Sequence, residues 1–531
     1  MTLTVSGSFA YNEQGQPSSV SQTAGGITRT ASLTYDLNGA IETITYPAGF
    51  TVEYVRNADG QVTAIKKGTT TLASYAYDSA GRLSTRTLSN GVVTTYGYDG
   101  MDRVNQIIVS SGTSTLWAER YGYNAIGERI YTLKGSTGTL GDAYWLDATS
   151  QLIGVKYGAT GANSSYASAS SPVSEDTWNY DAAGNRQTAV TVSGSTSYTV
   201  NAINQYTKIE GSAPLEPTYS SRGDLVTQGD WQYTYDAYGN LIQAYNTTSN
   251  LLAKYWRDAF GHRAVKDIDG SKTIYFNLGT AQLEAYDLAT ATTTSTVYEL
   301  GIDRPLAEVS DSGSVTFYHQ DWLGSVVMLT SPNGAKIESY TYDVWGEVSA
   351  LDGLGVPIAK AMIATKFLYT AREFDQETGL YHYRARAYSG GLGRFLQNDL
   401  IDFMGGDSNL YQYVSNNPIN FKDPYGLLQT GGNSENFGDY HEIITGESPE
   451  ERRERERQNN EIIEAAEQVP IDIAVDLLFP GPPGKKKIAK DIIWDELVKP
   501  IKDAISELIH DLIDPLIHDP SKSSGGESFR G

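Results

Sequence analysis

Tyr35-Asp36-Leu37-Asn38-Gly39 decides the fold, because the unit returns at a fixed interval. Asp36, Asn57, Asp78 and Asp99 are spaced 21 residues apart, and Gly39, Gly60 and Gly81 follow the first three at the same distance. The unit recurs as Tyr77-Asp78-Ser79-Ala80-Gly81, Tyr180-Asp181-Ala182-Ala183-Gly184, Tyr235-Asp236-Ala237-Tyr238-Gly239 and Tyr342-Asp343-Val344-Trp345-Gly346. Such recurrence marks a repeat array. An Asp or Asn that opens a turn accepts hydrogen bonds from backbone N–H groups just downstream, and Gly supplies a positive φ, so each unit predicts one β-hairpin. Asp36, Asp78, Asp99, Asp181, Asp236 and Asp343 are read as turn-formers, not catalysts. The Tyr ahead of each turn is expected to pack on the Tyr of the next unit with its hydroxyl on a polar neighbour, laddering the hairpins into one sheet.

Composition extends this reading to residue 427. Tyr, Thr, Ser, Gly and Val dominate there, as suits strands and tight turns, whereas the remainder turns Glu/Arg-rich and then Ile/Leu/Lys/Asp-rich with helical spacing. At 531 residues the chain is too long for one ordinary core, which again favours repeats. Lys+Arg 40 against Asp+Glu 63 give a net charge of −23, which repels a phosphate backbone and argues against nucleic-acid binding by the shell. With no cysteine and six histidines there is no thiol nucleophile and little room for a zinc centre, so neither metal nor cofactor is expected. The N-terminus carries no basic start followed by an apolar run, and no stretch of about 18 apolar residues occurs; no signal peptide or transmembrane helix is expected.

The Tyr-Asp unit resembles the YD repeat of Rhs proteins, teneurins and toxin-complex B and C subunits. The match tightens from Tyr318-His319-Gln320-Asp321-Trp322-Leu323-Gly324 onward. It runs through Tyr369-Thr370-Ala371-Arg372-Glu373-Phe374-Asp375, Thr378-Gly379-Leu380-Tyr381, Tyr383-Arg384-Ala385-Arg386 and Gly393-Arg394-Phe395. Asn409-Leu410-Tyr411, Asn416-Asn417-Pro418 and Asp423-Pro424-Tyr425-Gly426-Leu427 complete it. The resemblance implies a mainly β protein: a YD-repeat β-hairpin spiral shell over 1–317, an Rhs repeat-associated core acting as a plug over 318–427, and a variable, small helical C-terminal segment over 428–531. The array opens mid-repeat at Tyr11-Asn12, from which we expect a partial shell or one completed by a second chain.

The resemblance also implies self-cleavage between Leu427 and Leu428 by an aspartyl-type site. Asp399 and Asp423 match the family's two carboxylates, one held protonated and one acting as base, and Arg394 matches an arginine that orients them. At the first site Asp399-Leu400-Ile401-Asp402 replaces the family's Asp-Pro-x-Gly, which predicts a changed turn and offers Asp402 as a competing carboxylate. The function so implied is a polymorphic toxin, secreted or delivered by a specialised secretion system in bacterial competition. Its implied partners are its own C-terminal segment as cargo, a second shell chain or secretion-apparatus protein, and an immunity protein. The rival is a non-enzymatic structural or cell-surface protein with an inert, unprocessed tail. Within the tail, the apolar stripe of 488–517 carries more acidic than basic companions and so fits a membrane surface poorly. Its pairs His441-Glu442, His510-Asp511 and His518-Asp519 read as exposed helix residues, and the activity of 428–531 is not legible.

Overall fold

Asp36 shows how the repeat chemistry becomes structure. Its Oδ1 accepts the N–H groups of Asn38 (2.9 Å) and Ala40 (3.0 Å), while Gly39, at φ +82°, returns its own N–H to the Asp36 carbonyl. Asp78, Asp99, Asp181, Asp236 and Asp343 repeat the pattern with the amides two and four residues on. The register slips by one residue as the chain enters most of these turns, for example between Thr34 and Tyr35, so a bulge aims the Tyr ring at the sheet face.

The Tyr residues ladder the hairpins, but through the backbone. Tyr35 donates its hydroxyl to the Pro17 carbonyl (2.7 Å), Tyr77 to Val62 (2.7 Å), Tyr98 to Leu83 (2.8 Å) and Tyr235 to Leu225 (2.8 Å). Each acceptor opens the second strand of the preceding hairpin, so the phenol ties neighbouring units together rather than stacking ring on ring. Arginine adds a second tie. Arg82 pairs with Asp78 and lies 4.5 Å over the Tyr98 ring, and Arg103 does the same with Asp99 and Tyr123.

A computed structural model describes residues 5–431, apart from 259 and 406. Two long antiparallel meanders result. Eighteen strands, from Val5–Tyr11 to Tyr206–Glu210, pair in sequence order as a first wall, and fifteen more, from Thr218–Tyr219 to Pro357–Ile358, form a second. The walls meet face to face. Tyr46 and Tyr54 donate to the Thr296 and Tyr298 carbonyls (3.0 and 3.1 Å), and the buried Arg86 pairs with the buried Glu299 (2.9 Å).

A small four-stranded sheet, Glu373–Asp375, Leu380–Tyr383, Arg386–Ser389 and Arg394–Phe395, sits with its loops against both walls. Toward the first wall, Asn409 Nδ2 reaches Asn185, Asn416 Nδ2 reaches Gln151 and the Gly184 carbonyl, and Asn420 Oδ1 accepts from Arg129 N. Toward the second wall, Arg263 holds Asp375, while Arg372 and Arg384 converge on Asp303. Its interior is aromatic: Tyr381, Tyr383, Tyr388, Phe395 and Tyr413 are buried with ring centroids 4.4–6.4 Å apart. The fold is thus mainly β. The helical segment expected over 428–531 lies, from 432 onward, outside the described residues. No helix among the described residues is long and apolar enough to cross a membrane.

Candidate functional site

The loops beyond the small sheet reuse the repeat's turn chemistry at two aspartates. Asp399 Oδ1 accepts from Ile401 N (3.0 Å), and the Asp402 N–H closes onto the Asp399 carbonyl (3.2 Å). A turn thus forms here without Pro or Gly, capped at one amide instead of two. Asp402 takes the left-handed conformation that glycine would supply (φ +50°), which Asp tolerates better than most residues, and it is exposed. Asp402 opens the short turn Asp402–Gly405 and lines the same pocket as Asp399, Asp423 and Arg386.

Asp423 caps the second turn with a shifted pattern. Its Oδ1 accepts the amides of Leu427 (3.0 Å) and Leu428 (3.1 Å), the two N–H groups on either side of the Leu427 carbonyl. Gly426 makes this approach feasible: at φ +69°, any Cβ there would stand 2.4 Å from the Tyr383 carbonyl oxygen.

With each Oδ1 occupied by a turn, both Oδ2 atoms are free to converge. They meet on one nitrogen, Nη2 of Arg386, at 2.8 Å from Asp399 and 3.2 Å from Asp423. All three side chains are buried. Arg386 is fixed by Nε on the Gly426 carbonyl (2.6 Å), Nη1 on the Leu410 carbonyl (3.1 Å) and its face on the Phe395 ring (3.7 Å). Arg394, the arginine expected here, lies elsewhere. Its guanidinium stacks on Tyr206 and Tyr411 and bonds the Asn204 carbonyl and Asn409, tying the small sheet to the first wall. Arg386 belongs to the quoted Tyr383-Arg384-Ala385-Arg386 motif, but spacing alone does not say which core arginine faces the carboxylates.

The Leu427 carbonyl is close by. A Cβ on Gly405 would stand 3.1 Å from Asp399 Oδ2 and 3.2 Å from Leu427 O, so carboxyl and carbonyl flank the same glycine. Asp399, Asp423, Arg386, Gly405 and Leu427 line a pocket of about 20 Å³, room for about one water molecule. Burial raises both carboxyls above their ordinary value, against the lowering pull of Arg386; at Asp423 the two amides pull the same way as Arg386. Beyond the bond, Thr430–Gly431 pairs with Phe421–Lys422 as a short antiparallel ladder. Among the described residues no cluster of three or more metal-ligating side chains occurs.

Comparison with known proteins now places the chain. The family profile described as Teneurin YD-shell matches residues 143–419, more than half of the sequence, and RHS Repeat matches 77–115. The chain belongs to the teneurin YD-shell family. Among curated relatives of this YD-shell chain, the tRNA3(Ser)-specific nuclease WapA of Bacillus spizizenii is 31% identical over 257 residues, which cover 47% of this chain and 11% of the relative. Toxin protein Tse5 of Pseudomonas aeruginosa is 30% identical over 114 residues, covering 22% of this chain and 8% of the relative. The match spans about a tenth of the length of each of these two relatives. In solved structures, a crystal structure of TcdB2-TccC3 superposes with a TM-score of 0.60 at 18% identity, covering 79% of this chain and 24% of that one. The Photorhabdus luminescens Tc holotoxin pore gives 0.59 at 18%, covering 78% and 23%. These structures share the fold, and the sequence relatives include toxin proteins.

Proposed function

We propose that this YD-shell protein is a toxin carrier that cuts its own chain between Leu427 and Leu428, freeing the C-terminal segment as an effector delivered outside the producing cell. One observation carries the reading: Asp423 holds the amides on both sides of the Leu427 carbonyl, while that carbonyl and the carboxyl of Asp399 border the same glycine, Gly405. Relatives named as a tRNA nuclease and a toxin support the effector half of it.

The chemistry is hydrolysis. Asp423, ionised, takes a proton from a water in the pocket as that water's oxygen bonds to the Leu427 carbonyl carbon. Asp399, protonated, gives its proton to the carbonyl oxygen. Collapse of the tetrahedral intermediate breaks the C–N bond. The proton held by Asp423 passes to the Leu428 nitrogen, to which Asp423 is already hydrogen-bonded, and the carbonyl-oxygen proton returns to Asp399. The products are a Leu427 carboxylic acid and a Leu428 amine, and the acid's proton then passes to the amine to leave a carboxylate and an ammonium group. Arg386 keeps the two carboxyls together and offsets the remaining negative charge, so it is a positioning residue.

The rival reading, in which Asp399 and Asp423 only form turns, draws on the capping role of both Oδ1 atoms. Intact mass decides between them. The parent chain is expected as two pieces meeting after Leu427, with Asp423→Ala and Asp399→Asn each giving one uncut mass. Uncut parent, or a cut that persists without Asp423, would favour the turn-former reading. Since both carboxyls are raised by burial, cleavage should slow as pH rises and the shared proton leaves, measured as the rate of splitting after translation in buffers of increasing pH.

A further inference from the structure

Besides Asp402, a further carboxylate adjoins the site without touching the scissile bond. Asp407 lines the same pocket and takes no part in the turns of Asp399 or Asp423. The Ser415 hydroxyl lies 3.1 and 3.4 Å from its two oxygens, and 3.1 Å from Oε1 of Gln429, the second residue beyond the Leu427–Leu428 bond, so three acceptors surround one hydroxyl proton.

Strained backbone places that hydroxyl. Val414, Ser415 and Asn416 are consecutive left-handed residues, at φ +43°, +51° and +58°. The conformation is disfavoured for any residue with a Cβ and most of all for a β-branched one, so the surrounding structure has to impose it. Asn416 supplies the hold, with Nδ2 on Gln151 (3.0 Å) and on the Gly184 carbonyl (2.8 Å) of the first wall.

We infer that Asp407 and Ser415 form a subsite that reads the side chain at position 429 and so positions the chain for the cleavage proposed above, a reading on which this inference rests. Proton accounting fixes the chemistry it selects. An ionised Asp407 only accepts, so the single Ser415 proton goes to it and Oγ is left as an acceptor. The group facing Oγ must then donate. Gln429 does so through its amide nitrogen, which a half-turn of the side-chain amide exchanges with its oxygen. The relay runs from the Gln429 N–H to Ser415 Oγ, and from the Ser415 O–H to Asp407. Together with Asp423 on Leu428 N and the ladder of Thr430–Gly431, it holds four successive residues after the bond. The subsite takes a neutral hydrogen-bond donor and rejects an anion.

The test reverses the relay in the full chain. Gln429→Glu sets two carboxylates on one hydroxyl, and Asp407→Asn removes the acceptor; each alone is expected to slow cleavage about tenfold in a pulse-chase assay. The double variant restores the relay in the opposite direction, from the amide introduced at position 407 through Ser415 to the carboxylate introduced at position 429, and is expected to cleave within about threefold of the parent rate. Single variants at parental speed, or a double variant as slow as the slower single, would overturn the subsite. If those variants cut at parental speed while Asp423→Ala abolishes cutting, only the subsite fails. If the parent chain does not cut at all, the cleavage reading fails and takes the subsite with it.

Discussion

At the scale of single residues, one motif serves two ends. Asp in the repeat turn caps backbone amides with Oδ1, and what the other oxygen faces decides the rest. At Asp36 it lies 3.7 Å from the Arg56 guanidinium, whereas at Asp399 and Asp423 it meets a shared buried arginine. Asp343 is the instructive intermediate. Its turn is pressed against the first wall, with Val344 N on the Tyr157 hydroxyl and the Trp345 ring 5.7 Å from that of Trp178. Burial pushes its carboxyl up to about 7. A raised folded value means the folded state holds this proton to higher pH than the unfolded chain, so the associated stability is complete below about pH 4 and is lost as pH rises to about 7. Asp343→Asn keeps the capping oxygen and removes the charge. Melting temperatures from pH 4 to 8 are expected to fall less for the variant, with a gain of about 1–2 kcal/mol above pH 7 once partial exposure is allowed for. Parallel curves for the two proteins would show that the carboxyl is solvated.

At the scale of elements, the hairpins were legible because their chemistry is local: an acceptor at the first turn position, a glycine at the fourth, apolar alternation in between. The turn of Asp399 shows the limit of that local reading, since Asp402 takes the left-handed conformation where the family pattern has Gly. The pairing of the two walls has no comparable signal. Its contacts join residues more than two hundred positions apart, such as Arg86 with Glu299, and no spacing announces them. The same limit hid Arg386 behind Arg394: both lie in family motifs, and only the packing of Phe395 and the Gly426 carbonyl tells them apart. The wall contact carries its own prediction. Burial alone would raise Glu299, but Arg86 and Arg304 hold it below the ordinary carboxylate value, and Tyr75 also donates to it at 2.9 Å. Removing one member leaves a buried guanidinium uncompensated. Glu299→Gln is therefore expected to cost about 3–5 kcal/mol, seen as a lowered urea midpoint, whereas breaking an exposed pair such as Lys208 with Glu210 should leave the midpoint unchanged.

At the scale of the whole molecule, the question is whether two repeat arrays stand by themselves. A simple solenoid is held by nearest neighbours, so its stability adds up repeat by repeat and its parts unfold separately. Here the small sheet and its loops join both walls: Asn409, Asn416 and Asn420 on one side, Arg372, Arg384 and Asp375 on the other, with buried tyrosines filling the space between. Long-range ties of this kind couple elements that local repeats would leave independent. They also explain why a strained segment such as Val414–Asn416 persists, since its anchor lies on the first wall and not in its own loop. A chain ending at Ile358 keeps every strand of both walls but loses these ties and exposes the apolar faces they cover. Hydrogen exchange distinguishes the cases. If the core couples the walls, amides of inner strands such as Thr51–Arg56 and Val326–Thr330 lose their slow exchange together in the shortened chain, although neither strand has been altered. If both keep it, the walls are self-sufficient arrays and residues 359–431 serve cleavage alone.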